Sequence, residues 1–121
     1  MSTRFEPKTP VNLAPPKSDP ITLTELRKAN GNDSNLCYVA IKGKVFDVSG
    51  NKAYLPGGPY HNFAGHDASR ALALTSTKIE DVRHEWEDLG EKEKEVLNDW
   101  MTYFSKRYNV VGVIQKSDSE A

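Results

Sequence analysis

Residues 49–60 read SGNKAYLPGGPY, and the glycines at 50, 57 and 58 with the prolines at 56 and 59 exclude both a helix interior and a central strand there. The fold must be arranged around an irregular loop whose backbone another group can approach closely. Two apolar, β-rich runs precede it, Leu36 to Ile41 and Val45 to Val48, and the Lys42-Gly43 step between them predicts a hairpin or a tight strand corner, with Gly43 free to take the turn's backbone angles. Short helical patterns follow it. His61 to Ala64 is one turn stopped by Gly65, and Asp67 is placed to cap a helix through Ser69, Ala71, Leu72 and Leu74. An α+β arrangement of short strands and short helices around a loop is therefore expected.

The rest of the chain supports that plan. Thr22-Leu23-Thr24-Glu25 is a capping box and predicts a short helix ending near Ala29, with turn residues Asn30 to Asp33 behind it. Thr77-Lys78-Ile79-Glu80 repeats the box pattern and predicts another short helix reaching Arg83. Glu91 to Lys106 predicts the longest helix, because Val96, Leu97, Trp100, Met101 and Phe104 fall on one stripe of a 3.6-residue period. Val110 to Ile114 predicts a closing strand. Five of the seven prolines lie in the first twenty residues, so residues 1–19 read as an extended arm whose Phe5, Val11 and Leu13 can lie against the domain. The domain is expected over 20–115 and a flexible tail over 116–121.

Composition removes several function classes. The 121 residues suit one domain with some tail. Sixteen basic against seventeen acidic side chains give no electrostatic drive toward a polyanion, so nucleic acid is not an expected partner. No apolar run approaches the ~20 residues that span a bilayer, and no secretory apolar core opens the chain, so a cytoplasmic setting or the cytosolic face of a membrane is expected. Cys37 stands alone in an apolar run and reads as core filler, with no partner for a disulfide or a thiolate metal site. Nucleophile elbows, metal-ligand pairs and phosphate-binding glycine loops are lacking, which favours a binding module over an enzyme. From Ile79 to Asp99 nine acids face three bases. That segment reads as a solvated face or, alternatively, as a docking surface for a basic partner.

Residues 54–70, YLPGGPYHNFAGHDASR, gather two tyrosines, two histidines, an acid and a base around the loop. Glycines let a backbone approach a flat ligand, and Tyr60, just beyond Pro59, can aim its phenol into the opening. A phenolate is an axial ligand for ferric haem iron. His61 and His66 are the rival ligands. On residue type alone Tyr60 can also be an ordinary half-buried loop tyrosine, and Asp67 and Arg70 a helix cap and an i,i+3 pair.

The order of short helix, paired strands, PGG loop and further short helices resembles the cytochrome b5-like haem and steroid binding fold. Electron carriers of that fold read HPGG, and their histidine binds iron. Here Leu55 stands in that place, with no lone pair to give. The segments Tyr54, Gly58-Pro59-Tyr60, Phe63-Ala64-Gly65 and Asp67-Ala68-Ser69-Arg70 resemble instead the membrane-associated progesterone receptor family, over roughly residues 20–114, and its fungal damage-resistance members most of all. The resemblance implies haem b with Tyr60 as axial ligand. It implies that Tyr54, Arg107 and Tyr108 lie near the haem and its propionates, where the family often has lysine in place of Arg107. Phe63, Ala64 and Leu72 are the expected apolar walls. An anionic oxygen ligand favours ferric iron and lowers its potential, which suits sensing or regulation better than electron relay. The implied function is an accessory one, supporting a haem-thiolate monooxygenase of ergosterol-type sterol biosynthesis at the cytosolic face of the endoplasmic reticulum, with a haem-dependent homodimer. The competing expectation is haem-independent binding of a sterol or small lipid, or a scaffold role.

Overall fold

The computed structural model describes Pro15 and residues 17–115. The expectations for Phe5, Val11, Leu13 and the tail beyond Gln115 lie outside the described residues. In chain order the elements are β1 (Pro20–Ile21), α1 (Leu23–Lys28), β2 (Tyr38–Ile41), β3 (Lys44–Asp47), β4 (His66–Asp67), α2 (Ser69–Ala73), α3 (Glu91–Arg107) and β5 (Asn109–Ile114). Single 3-10 turns occupy Lys52–Tyr54, His61–Phe63 and Ile79–Asp81.

Local chemistry sets these boundaries. The Thr22 hydroxyl accepts from the Glu25 amide at 3.1 Å, and the Glu25 carboxylate accepts from the Thr22 amide at 3.1 Å, so the capping box closes and α1 starts where the pattern placed it. The β2–β3 turn has Lys42 at φ 51° and Gly43 at φ 81°. Two successive left-handed residues between Ile41 and its partner Lys44 make the tight hairpin turn whose twist matches the strands. α3 buries Leu97 and Phe104, with Trp100 and Met101 half-buried beside them, along the expected stripe.

The five-stranded sheet runs β1-β5-β3-β2-β4. The β3–β2 and β3–β5 pairs are antiparallel, whereas β1 and β4 add to the two edges in parallel. Both faces are covered, so Val39, Ala40 and Ile41 of β2 and Val45 and Phe46 of β3 are all buried and their alternation divides two cores. Cys37, Val39, Ile41, Phe46 and Val48 face the larger core with α2, α3 and the loop. Ala40 and Val45 face a smaller one with Ile21 and Leu26. Cys37 is fully buried, as core filler would be, and burial pushes its thiol up to about 11.

Three local expectations are corrected. Asp67 does not cap α2. It pairs with Ala40 in the sheet, and the cap position falls to Ala68, although an Asp67 oxygen still accepts from the Ser69 amide at 3.0 Å. Arg70 accordingly bypasses Asp67, whose oxygens already serve Ser69 and the Gly43 amide, and reaches Asp88 at 2.8 Å and the Glu85 carbonyl at 3.0 Å. The Thr77 box forms no helix through Arg83. The Ile79–Asp81 turn has no side-chain cap from its flank, and the Ser76 hydroxyl donates to Asp81 at 2.7 Å instead. A single turn lacks the run of amides that a box satisfies.

Candidate ligand cleft

The glycine-proline loop is closed by its own backbone. The Asn51 side chain accepts from the Ala53 amide at 3.0 Å and starts the Lys52–Tyr54 turn. Farther on, Gly58 donates to the Leu55 carbonyl and Tyr60 donates to the Ala53 carbonyl, each at 2.8 Å, so the loop folds back on its start. Gly58 is required there. A Cβ at that position would fall onto the carbonyl oxygens of Ala53 and Lys52, which no side-chain rotation can move aside.

That closure gathers aromatic rings. Tyr54 and Tyr60 stand 5.6 Å apart between centroids, and Tyr60 stacks on Phe63 at 5.8 Å with 9° between planes. Tyr54 also meets Phe104 at 6.1 Å and Tyr108 at 6.4 Å edge-on. The Tyr108 hydroxyl accepts from the Asn51 amide nitrogen at 2.8 Å, which ties the end of α3 to the loop. The Arg107 guanidinium lies 4.1 Å from the Tyr103 ring centre. Ala64 and Leu72 are buried in the core that this cluster caps.

The phenols differ in environment. Tyr54 is 4% exposed and Tyr60 is 39% exposed. Burial, with the neighbouring Tyr108 a smaller influence, drives the Tyr54 phenol far above its ordinary value. Burial also raises Tyr108, against the opposing Asn51 hydrogen bond. Ionisation of either phenol is thereby disfavoured. Tyr60, at the rim with no hydroxyl contact among the described residues, is the phenol of this cluster that a ligand can reach.

The structure thus brings Tyr54, Tyr60, Phe63 and Tyr108 into one cluster. Arg107 adjoins it through Tyr103, and Leu72 lies behind it in the core. His61 is engaged by the Asn30 carbonyl at 3.1 Å. His66 lines a separate cavity of about 530 Å³ that none of the six expected residues touches. Sequence reasoning missed Asn51 and Tyr103. An Asn two residues before an amide it can cap is a recognisable Asx pattern, but its second bond, to a residue 57 positions away, leaves no local trace.

A mixed sheet with short helices closing an aromatic loop is the cytochrome b5-like architecture. A hypothetical protein of Arabidopsis thaliana described as having a cytochrome b5 like fold superimposes with a TM-score of 0.73 at 46% identity, over 82% of this chain and 93% of that one. Residues 22–115 match the Cytochrome b5-like Heme/Steroid binding domain, and the chain belongs to that family. It is 53% identical over 93 residues to Probable steroid-binding protein 3 of Arabidopsis thaliana, covering 75% of this chain and 93% of that protein. It is 42% identical over 99 residues to Cytochrome P450 regulator dap1 of Schizosaccharomyces pombe, covering 75% of this chain and 60% of dap1. With human Membrane-associated progesterone receptor component 2 it shares 37% identity over 108 residues, covering 86% of this chain and 48% of the receptor component. The chain therefore spans only about half to three fifths of the length of the latter two relatives.

Proposed function

We propose that this chain is a non-catalytic haem-binding regulatory protein, with Tyr60 as the axial ligand to ferric iron. The observation that carries the reading is one exposed phenol at the rim of an aromatic cluster whose other two phenols are withdrawn from solvent, with burial disfavouring their ionisation. The donor set fits the group. Tyr60 offers a hard oxygen and an exposed ring backed by the buried rings of Phe63 and Tyr54, and Arg107 and Tyr108 at the end of α3 offer a cation and a hydroxyl suited to propionates. When bound, haem would supply a ferric centre of low potential, suited to regulation rather than electron relay. Family membership and the likeness to a protein named a cytochrome P450 regulator support a haem-thiolate monooxygenase as partner, and we extend this to one of sterol biosynthesis at a cytosolic membrane face. Titration of the purified chain with hemin tests the ligand. A saturable Soret band in the wild type that is lost in Tyr60→Phe and kept in His61→Ala and His66→Ala supports it, whereas equal binding by Tyr60→Phe refutes it. Because Tyr60 is exposed, two ligand-bearing faces are expected to pair. Equal sedimenting mass with and without hemin would exclude that dimer.

A second reading rests on the aromatic surface itself, which would equally accept a sterol, as the name of the Arabidopsis steroid-binding relative suggests. Calorimetry of the chain with hemin and with a sterol panel separates the two ligands.

A further inference from the structure

The cavity of about 530 Å³ lies apart from the tyrosine cluster, between α1, the β2–β3 turn, β4 and the segment 82–87. Its volume falls within the roughly 300–1,000 Å³ of small-molecule sites. Leu23, Leu26, Val82, Trp86 and Ile114 give it apolar walls. Its polar groups divide sharply by whether they are already engaged. All three carboxylates are. Asp67 accepts from Ser69 and from the Gly43 amide, Glu85 pairs with Arg83 at 2.9 Å, and Glu87 accepts from the Trp86 amide at 3.2 Å. Lys42 donates to Asn98 at 2.7 Å and lies 4.4 Å from the Trp86 ring centre. By contrast the side chains of Arg27, His66 and His84 make no hydrogen bond or ion pair to any described residue, and all three line the cavity.

We infer that this cavity is a second ligand site, for a small monocarboxylate with an apolar body, its head at Arg27 with His66 and His84 and its body against Trp86 and the aliphatic wall. Among the side chains of the cavity the three without a hydrogen bond or ion pair to a described residue all carry donors, Arg27 above all, so an incoming acceptor is the group that would engage them. An anionic head serves best, since Arg27 is always cationic. An ammonium head would instead meet the Arg27 charge, which has no ion pair among the described residues. The inference stands independently of the haem reading, because the two sites share no residue.

The test is NMR titration of the full chain, without haem, with decanoate, decan-1-ol and decylammonium below their micelle concentrations. Decanoate is expected to give saturable shifts at the His66 and His84 ring protons and the Trp86 indole. Arg27→Gln, at an exposed helix position, should weaken it by about two- to fivefold and Arg27→Glu by more, the loss or reversal of one solvent-screened charge contact. Tyr60→Phe should bind decanoate as the wild type does. Shifts confined to the tyrosine cluster, equal affinity for decan-1-ol, tighter binding of decylammonium, or an unchanged affinity in both Arg27 variants would each overturn the assignment.

Discussion

The two adjacent glycines of the loop are expected to respond very differently to the same added methyl group. At Gly58 the new Cβ would lie 2.5 Å from the Lys52 carbonyl oxygen and closer still to that of Ala53. The Ala53 carbonyl is also the acceptor that holds the Tyr60 amide. Overpacking of this kind costs about 1–3 kcal/mol, and loosening the Tyr60 bond adds about 1 kcal/mol. Gly57 has a left-handed φ of 89° but open space where its Cβ would sit. Alanine there bears only the conformational cost, about 1–2 kcal/mol. Thermal unfolding of both variants gives the comparison, and about 3 kcal/mol at position 58 corresponds to a fall of roughly 12–24 °C for a domain of this size. Hemin affinity should drop in parallel, since Tyr60 loses its anchor. If Gly58→Ala proves no less stable than Gly57→Ala, the loop does not close as described.

Other perturbations read other parts of the structure. Burial raises the Asp67 carboxyl above its ordinary value, outweighing the hydrogen bonds from Ser69 and Gly43 that lower it. Asp67 therefore contributes stability that is present at acid pH and is lost as pH climbs from the usual carboxylate range through its raised value. A ¹³C titration of the Asp67 carboxyl should show a midpoint above about 3.9, and one at or below it would contradict this. Tyr54 is raised likewise, so the native fold should lose stability as pH rises beyond the ordinary phenol value of about 10, and Tyr54→Phe should flatten that alkaline loss when unfolding is followed against pH. Arg70→Ala removes the bond to the Glu85 carbonyl, about 1 kcal/mol, while the exposed pair with Asp88 adds little. Amide exchange should quicken in residues 83–89, and no change there would count against Arg70 as their anchor.

Much of the architecture was legible because its signals are local. The Thr22–Glu25 box, the Lys42-Gly43 turn and the α3 stripe are each written within a few neighbouring residues, and each forms where expected. What escaped reading depends on distant partners. β1 and β4 are two residues each, too short for any periodicity, and exist because β5 and β2 offer them edges. Asp67 was misjudged for that reason, since a carboxylate before a helix looks like a cap until the sheet claims it. The candidate cleft shows the same division. Tyr54, Tyr60 and Phe63 are close in sequence and meet around one loop, whereas Asn51 finds Tyr108 only through the closing of the whole domain. The cavity beside His66 had no sequence signature, because its lining comes from α1, a turn, an edge strand, the end of β5 and a loop.

Iron–phenolate coordination at position 60 is tested most directly by resonance Raman spectroscopy of the ferric, hemin-loaded chain, excited in the phenolate-to-iron charge-transfer region. Ring modes of a coordinated phenolate are expected in the wild type and absent from Tyr60→Phe. A spectrum without those modes, or one that keeps them in Tyr60→Phe, would show that another group holds the iron.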